Sequence, residues 1–146
     1  PPSEDLTGAQ VMLTGIADKA LALGRYDEAE RVLGKLLDPM LERARSGVVI
    51  NPARLEECTR YAMRLAEGTR KHGWLDWVFD VHAATGSLVA ESEIERLHEL
   101  VRKLRYAGGA HVRKYLDRLR ARASDLKPRE RFLLSRLEGI ERVVSA

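Results

Sequence analysis

Apolar residues recur at spacings of three and four along most of this chain, and no stretch shows the strict alternation of a half-buried strand. Leu13, Ile16, Ala17, Ala20 and Leu23 fall on one stripe of a first helix, expected over about Asp5 to Leu23. Gly24 supplies its stop, because glycine accepts the left-handed backbone angles that end helices. Ala29, Val32, Leu33 and Leu36 then open a new stripe on a second helix, Tyr26 to Arg45, with Asp27 and Glu28 in the first turn, where negative charge complements the helix dipole. So short a corner makes the two helices antiparallel, and Ala17, Ala20 and Ala29 let them approach closely. Pro39 falls inside the second helix: either Asp38 caps a fresh turn that Pro39 begins, or the helix kinks there.

Ser46-Gly47 ends that helix and Val48-Val49-Ile50 forms a short apolar connector. Asn51-Pro52 reads as an N-cap followed by proline at the first helical position, opening a third helix that buries Leu55, Cys58, Ala62, Leu65 and Ala66 and runs to about Arg70. The fourth, Trp74 to Ala84, is apolar most of the way round, with Trp74, Trp77, Val78 and Val81 on one face and Leu75 and Phe79 on another, so it belongs between neighbours. The fifth spans about Val89 to Tyr106 with a capping box expected from Ser92 and Glu95. Gly108-Gly109 marks a further corner before a sixth helix, His111 to Ala123. Pro128 opens a seventh, buried through Phe132, Leu133, Leu137, Ile140 and Val144.

The pattern therefore predicts an all-α fold of about seven antiparallel helices, three hairpins and a last helix that caps the stack. Its 146 residues, 45% of them hydrophobic, suffice for one core, so 6–146 is taken as a single domain. Residues 1–5, with their Pro-Pro-Ser start and no Met, are expected to be a linker remnant of a longer protein. No run approaches the roughly twenty apolar residues of a membrane span. The lone Cys58 excludes an internal disulfide and suits a reducing, cytoplasmic setting.

The first corner carries a family resemblance. Gly24-Arg25-Tyr26-Asp27-Glu28-Ala29, followed by Leu33, resembles the inter-helix corner of a tetratricopeptide repeat, in which an Ala three residues after an aromatic and a large residue four further on lock the hairpin. Leu13, Ile16, Ala17 and Ala20 stand where that pattern has Trp, Leu, Gly and Tyr, and Pro39 comes two residues before its closing Pro. The resemblance thus covers one repeat and is architectural elsewhere. It implies hairpins stacked as a short solenoid or compact bundle that holds another protein. The same stretch and the Trp-rich helix are also similar to helical regions accompanying forkhead-associated domains in bacterial signalling proteins.

Catalytic chemistry has no foothold. His72, His82, His98 and His111 are scattered without metal-ligand spacing, and Glu95-x-x-His98 has no second copy to complete a di-iron site. No phosphate loop or nucleophile elbow is present, so no catalytic residue, metal or cofactor is expected. Charge is more informative. Between Arg102 and Arg131 lie eleven Lys or Arg and three acids, a net of +8 that leaves −5 for the remainder of a chain that is +3 overall. Lys114, Arg118 and Arg122 form an i, i+4, i+8 ridge on helix six. Together with Arg113 they read either as a solvated face or as a basic patch for an acidic partner. Trp74 and Trp77 likewise read as core or as the lining of a partner groove. The expected function is a non-catalytic protein–protein scaffold, with another protein as partner. Self-association through helix seven and nucleic-acid binding through the basic residues are the rivals. The second is disfavoured because no recognition motif or stacking aromatics accompany the patch.

Overall fold

The computed structural model describes residues 7–144, which form seven α-helices and a 3-10 turn and no strand. The helices are α1 (Gly8–Ala22), α2 (Tyr26–Arg45), α3 (Pro52–Thr69), α4 (Gly73–Thr85), α5 (Glu91–Lys103), α6 (Gly109–Arg120) and α7 (Pro128–Glu141). The expected linker remnant 1–5 lies outside the described residues.

Most corners are built from backbone chemistry that the sequence signals. At Gly24 (φ 72°) the Arg25 N–H donates to Ala20 O over 2.8 Å and the Gly24 N–H to Leu21 O over 3.1 Å, which satisfies the last carbonyls of α1 and turns the chain back. Gly47 (φ 86°) closes α2 in the same way, with Val48 N–H on Arg43 O at 3.0 Å. Asn51 caps α3, its Oδ1 accepting from Ala53 N–H at 2.8 Å and Arg54 N–H at 3.2 Å, with Pro52 at the position where a missing N–H costs nothing. α2 runs unbroken through Pro39, so no fresh turn begins there.

Packing follows two rows. α2, α4 and α6 lie side by side, as do α3, α5 and α7, and α1 packs on α2. Cross-links fix the directions. Glu30 meets Trp74, Leu37 meets Trp77 and Arg45 meets Asp80, so α2 and α4 run parallel. His111 meets Asp80 and Arg118 meets Ala83, so α4 and α6 do too. In the other row Glu56 meets Ser92 and Glu67 meets Lys103, which makes α3 and α5 parallel. Consecutive helices thus alternate between rows, as stacked hairpins do. α4 contacts α2, α3 and α6 and buries Leu75, Trp77, Val78, Phe79 and Val81, which accounts for its nearly all-round apolar sequence.

Several local expectations fail for definable reasons. α1 buries Thr14, Ala17, Ala20 and Leu21, whereas Ile16 and Leu23 of the expected stripe are exposed. Apolar residues lie on every side of α1 despite Gln10, Thr14, Asp18 and Lys19, so periodicity leaves its inward face undetermined, and the close approach to α2 selects the small residues. α5 stops at Lys103 because Arg105 takes a left-handed conformation (φ 50°), with Tyr106 N–H on Val101 O at 3.0 Å. The same glycine-type stop therefore forms on an arginine. Ser92 is the second residue of α5 and bonds Glu93 and Glu56, so its capping box does not form. Thr7 and Gln10 make such a box at α1 instead. α6 ends at Arg120, which puts Arg122 outside the helix and interrupts the expected ridge. Phe132 is half exposed under the Arg129 guanidinium, and Leu134 takes its place in the core.

Candidate functional site

The Trp-rich helix divides its aromatics. Trp77 is 3% exposed and its indole N–H donates to Leu37 O over 2.8 Å, so it ties α4 to α2 within the core. Trp74 is half-buried at the opening of a shallow cleft shared with Leu41 and Asp38, and donates to Glu30 Oε2 over 2.6 Å. Lys71 takes the other Glu30 oxygen at 2.7 Å. Burial opposes ionisation of Glu30, but those two hydrogen bonds and the Lys71 charge outweigh it and hold the carboxyl below its ordinary value. The indole edge is thereby already engaged.

The basic residues also divide. Arg118 Nη1 donates to Ala83 O over 3.2 Å, and Arg122 Nη1 donates to Gly86 O. Both carbonyls lie at the C-terminal end of α4, where the helix dipole is negative and backbone acceptors lack internal partners. Gly86 has a left-handed backbone (φ 69°), and a Cβ there would stand 3.0 Å from Arg118 Nη2, so the guanidinium lies against the bare glycine. Tyr115, also from α6, accepts from Val89 N–H at 3.0 Å and donates to Ser87 O at 2.8 Å. Three α6-side groups therefore clasp the turn that follows α4. Arg113 and Lys114, by contrast, are exposed and make no ion pair or hydrogen bond among the described residues.

Arg118 has a second face. It lines a groove of about 380 Å³ formed by Val48, Val49 and Ile50 of the connector, Leu55 of α3 and Ala84 of α4. Val49 is 88% exposed and Val48 is exposed as well. No backbone hydrogen bond outside the helices is donated by Val49 or Ile50. An apolar wall, a non-helical connector with two such amides and a guanidinium rim thus meet between the ends of α2 and α4. Of the residues singled out from sequence, only Arg118 belongs to this groove. The connector was visible as three successive β-branched residues between a helix stop and an N-cap, and that run was its one signal.

Elsewhere several polar groups tie one helix to another. His111 Nδ1 sits 2.8 Å from Asp80, and Tyr106 donates to Asp76 over 2.5 Å, which joins the start of α6 to α4. His98 Nε2 rests 2.9 Å from Arg136 O, which uses the Glu95-x-x-His98 histidine to join α5 to α7. His82 is buried against Val78 O at 2.7 Å, and loss of solvent lowers it to about 4. Among the described residues no group of three His, Cys, Asp or Glu could hold a metal ion, and no helix is long and apolar enough to cross a membrane. No protein-family model, curated protein or solved structure matches the chain.

Proposed function

We propose that this chain is a non-catalytic protein–protein interaction module, a short array of tetratricopeptide-like hairpins that serves as a scaffold in a bacterial signalling or assembly protein of the cytoplasm. The observation that carries the reading is the connector groove, where exposed Val48 and Val49 border a concave apolar wall. An apolar concavity bordered by exposed aliphatic side chains is what a partner's side chain covers. The alternation of helices between two rows supports the hairpin reading, because stacked hairpins present such inter-repeat features on one edge. The test is capture from nuclease-treated lysate by the wild-type chain and by Val49→Asp, read by mass spectrometry. A protein retained by the first and lost by the second supports the reading. Capture of nothing but the bait defeats it.

A second reading, self-association, has its own observation. Val11, Met12 and Ile16 are exposed on α1, with Met12 at 68%, and Leu23 at its C-cap is exposed too; Met12, Ile16 and Leu23 share one stripe with Lys19. This exposed apolar stripe lies on the first helix, whereas helix seven, the expected seat of self-association, exposes one large hydrophobic residue, Phe132, among the described residues. Light scattering over a concentration series tests it. A dimer that Ile16→Lys converts to monomer supports self-association, and a constant monomer mass excludes it.

A further inference from the structure

The connector groove has a chemical one-sidedness that narrows its occupant. Among the described residues, Arg118 is the sole charged side chain on its lining, which holds no carboxylate. One Arg118 N–H is given to Ala83 O, and a guanidinium carries five donors, so most of the fork is unspent. One turn earlier on α6, Lys114 and Arg113 are exposed with no acid paired to them among the described residues. The floor and near wall are aliphatic, from Val48, Ile50, Leu55 and Ala84. Along that wall the chain is neither helix nor strand, and the Val49 and Ile50 amides make none of the backbone hydrogen bonds found outside the helices.

We propose that the groove receives an extended segment of another protein in which an aliphatic side chain stands beside one or more carboxylates. The aliphatic group seats against Val48, Ile50, Leu55 and Ala84, and the carboxylate meets Arg118. An extended segment fits better than a helix because it brings unpaired backbone carbonyls to the Val49 and Ile50 amides, whereas a helix has spent its own. Charge complementarity selects acids: a guanidinium binds a carboxylate with two parallel hydrogen bonds, and Lys114 adds attraction on approach. The inference rests on the interaction-module reading and adds the chemistry of the partner.

The test uses short synthetic peptides, acetylated and amidated at their ends, with a central leucine flanked by glutamates, by glutamines or by lysines. Each is titrated into the isotopically labelled chain while amide signals are followed. The expected result is that the glutamate peptide shifts the amides of 48–50 and 84–87 and binds about tenfold tighter than the glutamine peptide, with the lysine peptide inert. Arg118 also braces α4, so its loss would confound folding with binding. The variants are therefore Val49→Asp, at a fully solvated site, expected to lose about tenfold, and Lys114→Glu, expected to lose a few-fold at low salt only. Both should keep the wild-type melting temperature. Equal binding of glutamate and glutamine peptides, shifts confined to other residues, or wild-type affinity in Val49→Asp would each overturn the inference. A lysate protein captured equally well by wild type and Val49→Asp would overturn it too while leaving the broader interaction reading standing.

Discussion

At Gly68 the place of a side chain is taken by Tyr26, whose ring Cδ1 would lie 2.2 Å from an added Cβ, and at Gly108 by Tyr106, whose Oη would lie 2.1 Å away. Neither glycine has a left-handed backbone, so space alone demands them. The two tyrosines differ in how far they can yield. Tyr26 is half-buried at the α2 corner and can swing toward solvent. Tyr106 is fully buried, stacked on Phe79 with ring centroids 5.7 Å apart, and bonded to Asp76. Gly108→Ala should therefore cost about 3 kcal/mol and Gly68→Ala about 1 kcal/mol, the upper and lower ends of the overpacking range, measured by urea denaturation. A reversed order would mean that the Tyr106 ring is the freer of the two. His82 sets a pH dependence at the same scale. Its ring is buried against Val78 O and faces Tyr115, whose own hydroxyl burial pushes up and keeps neutral. In the unfolded chain a histidine titrates near ~6.5, against about 4 here. The unfolded state thus binds more protons between those values. Stability is complete above the upper value, declines as pH falls toward the lower, and levels off below it, by on the order of 3 kcal/mol in full. His82→Leu should remove that limb of the pH–stability curve. Glu30 and Glu67 are both held below the ordinary carboxylate value, Glu67 by its hydrogen bond to Lys103 and the Arg96 charge over the opposing effect of burial. Their contributions are lost only at still lower pH, so the acid limb below the usual carboxylate range should survive the substitution.

At the level of elements, the end of α4 shows how a basic run can be structural. Arg118 and Arg122 close orphan carbonyls at a negative helix terminus, so Arg118→Ala and Arg122→Ala should each lower stability by about 1 kcal/mol. Lys114→Ala, which removes an exposed cation with no partner among the described residues, should change it by less than about 0.5 kcal/mol. Thermal denaturation of the three variants separates a clasp from a solvated face: equal behaviour of all three would refute the distinction. The contrast also marks what the amino-acid pattern could and could not reveal. Gly24, Asn51-Pro52 and the all-round apolar α4 were legible because each is a local rule, a φ angle, a cap or a periodicity, acting within a few residues. The face of α1 was not, since Ile16 and Ala17 are both apolar, and the close approach to α2 selects the smaller against the more hydrophobic one. Nor was the stop at Arg105, where a residue that ordinarily avoids the left-handed region is held there by the Tyr106 anchor beyond it. The groove was least legible of all. Val49, Leu55, Ala84 and Arg118 come from four segments, and nothing short of the helix rows brings them together.

For the molecule as a whole, two rows of parallel helices make stability a matter of neighbours. In such an array each helix is held mainly by those beside it, so the ends should open before the middle. α1 leans on α2, with one further tie from Tyr61 to Asp18 at 2.7 Å, and its outer face holds exposed Met12 and Ile16. α7 closes the other end more firmly. It packs on both α5 and α6, buries Leu133, Leu134, Leu137 and Ile140, and is bound by Arg120 through Glu138 at 2.8 Å and Glu141 at 3.1 Å. α4 has neighbours in both rows. Native-state hydrogen exchange should therefore rank the helices α1 first to open, α7 next and α4 last. Conditions that favour a partner on the α1 stripe would raise α1 alone. The acidic peptide of the connector groove should instead slow exchange at 48–50 and the end of α4 while α1 exchanges as before, because the two surfaces belong to different neighbours in the array. Uniform protection of every helix on peptide binding would mean that the seven helices open as one cooperative unit, and the nearest-neighbour account of this fold would then be wrong.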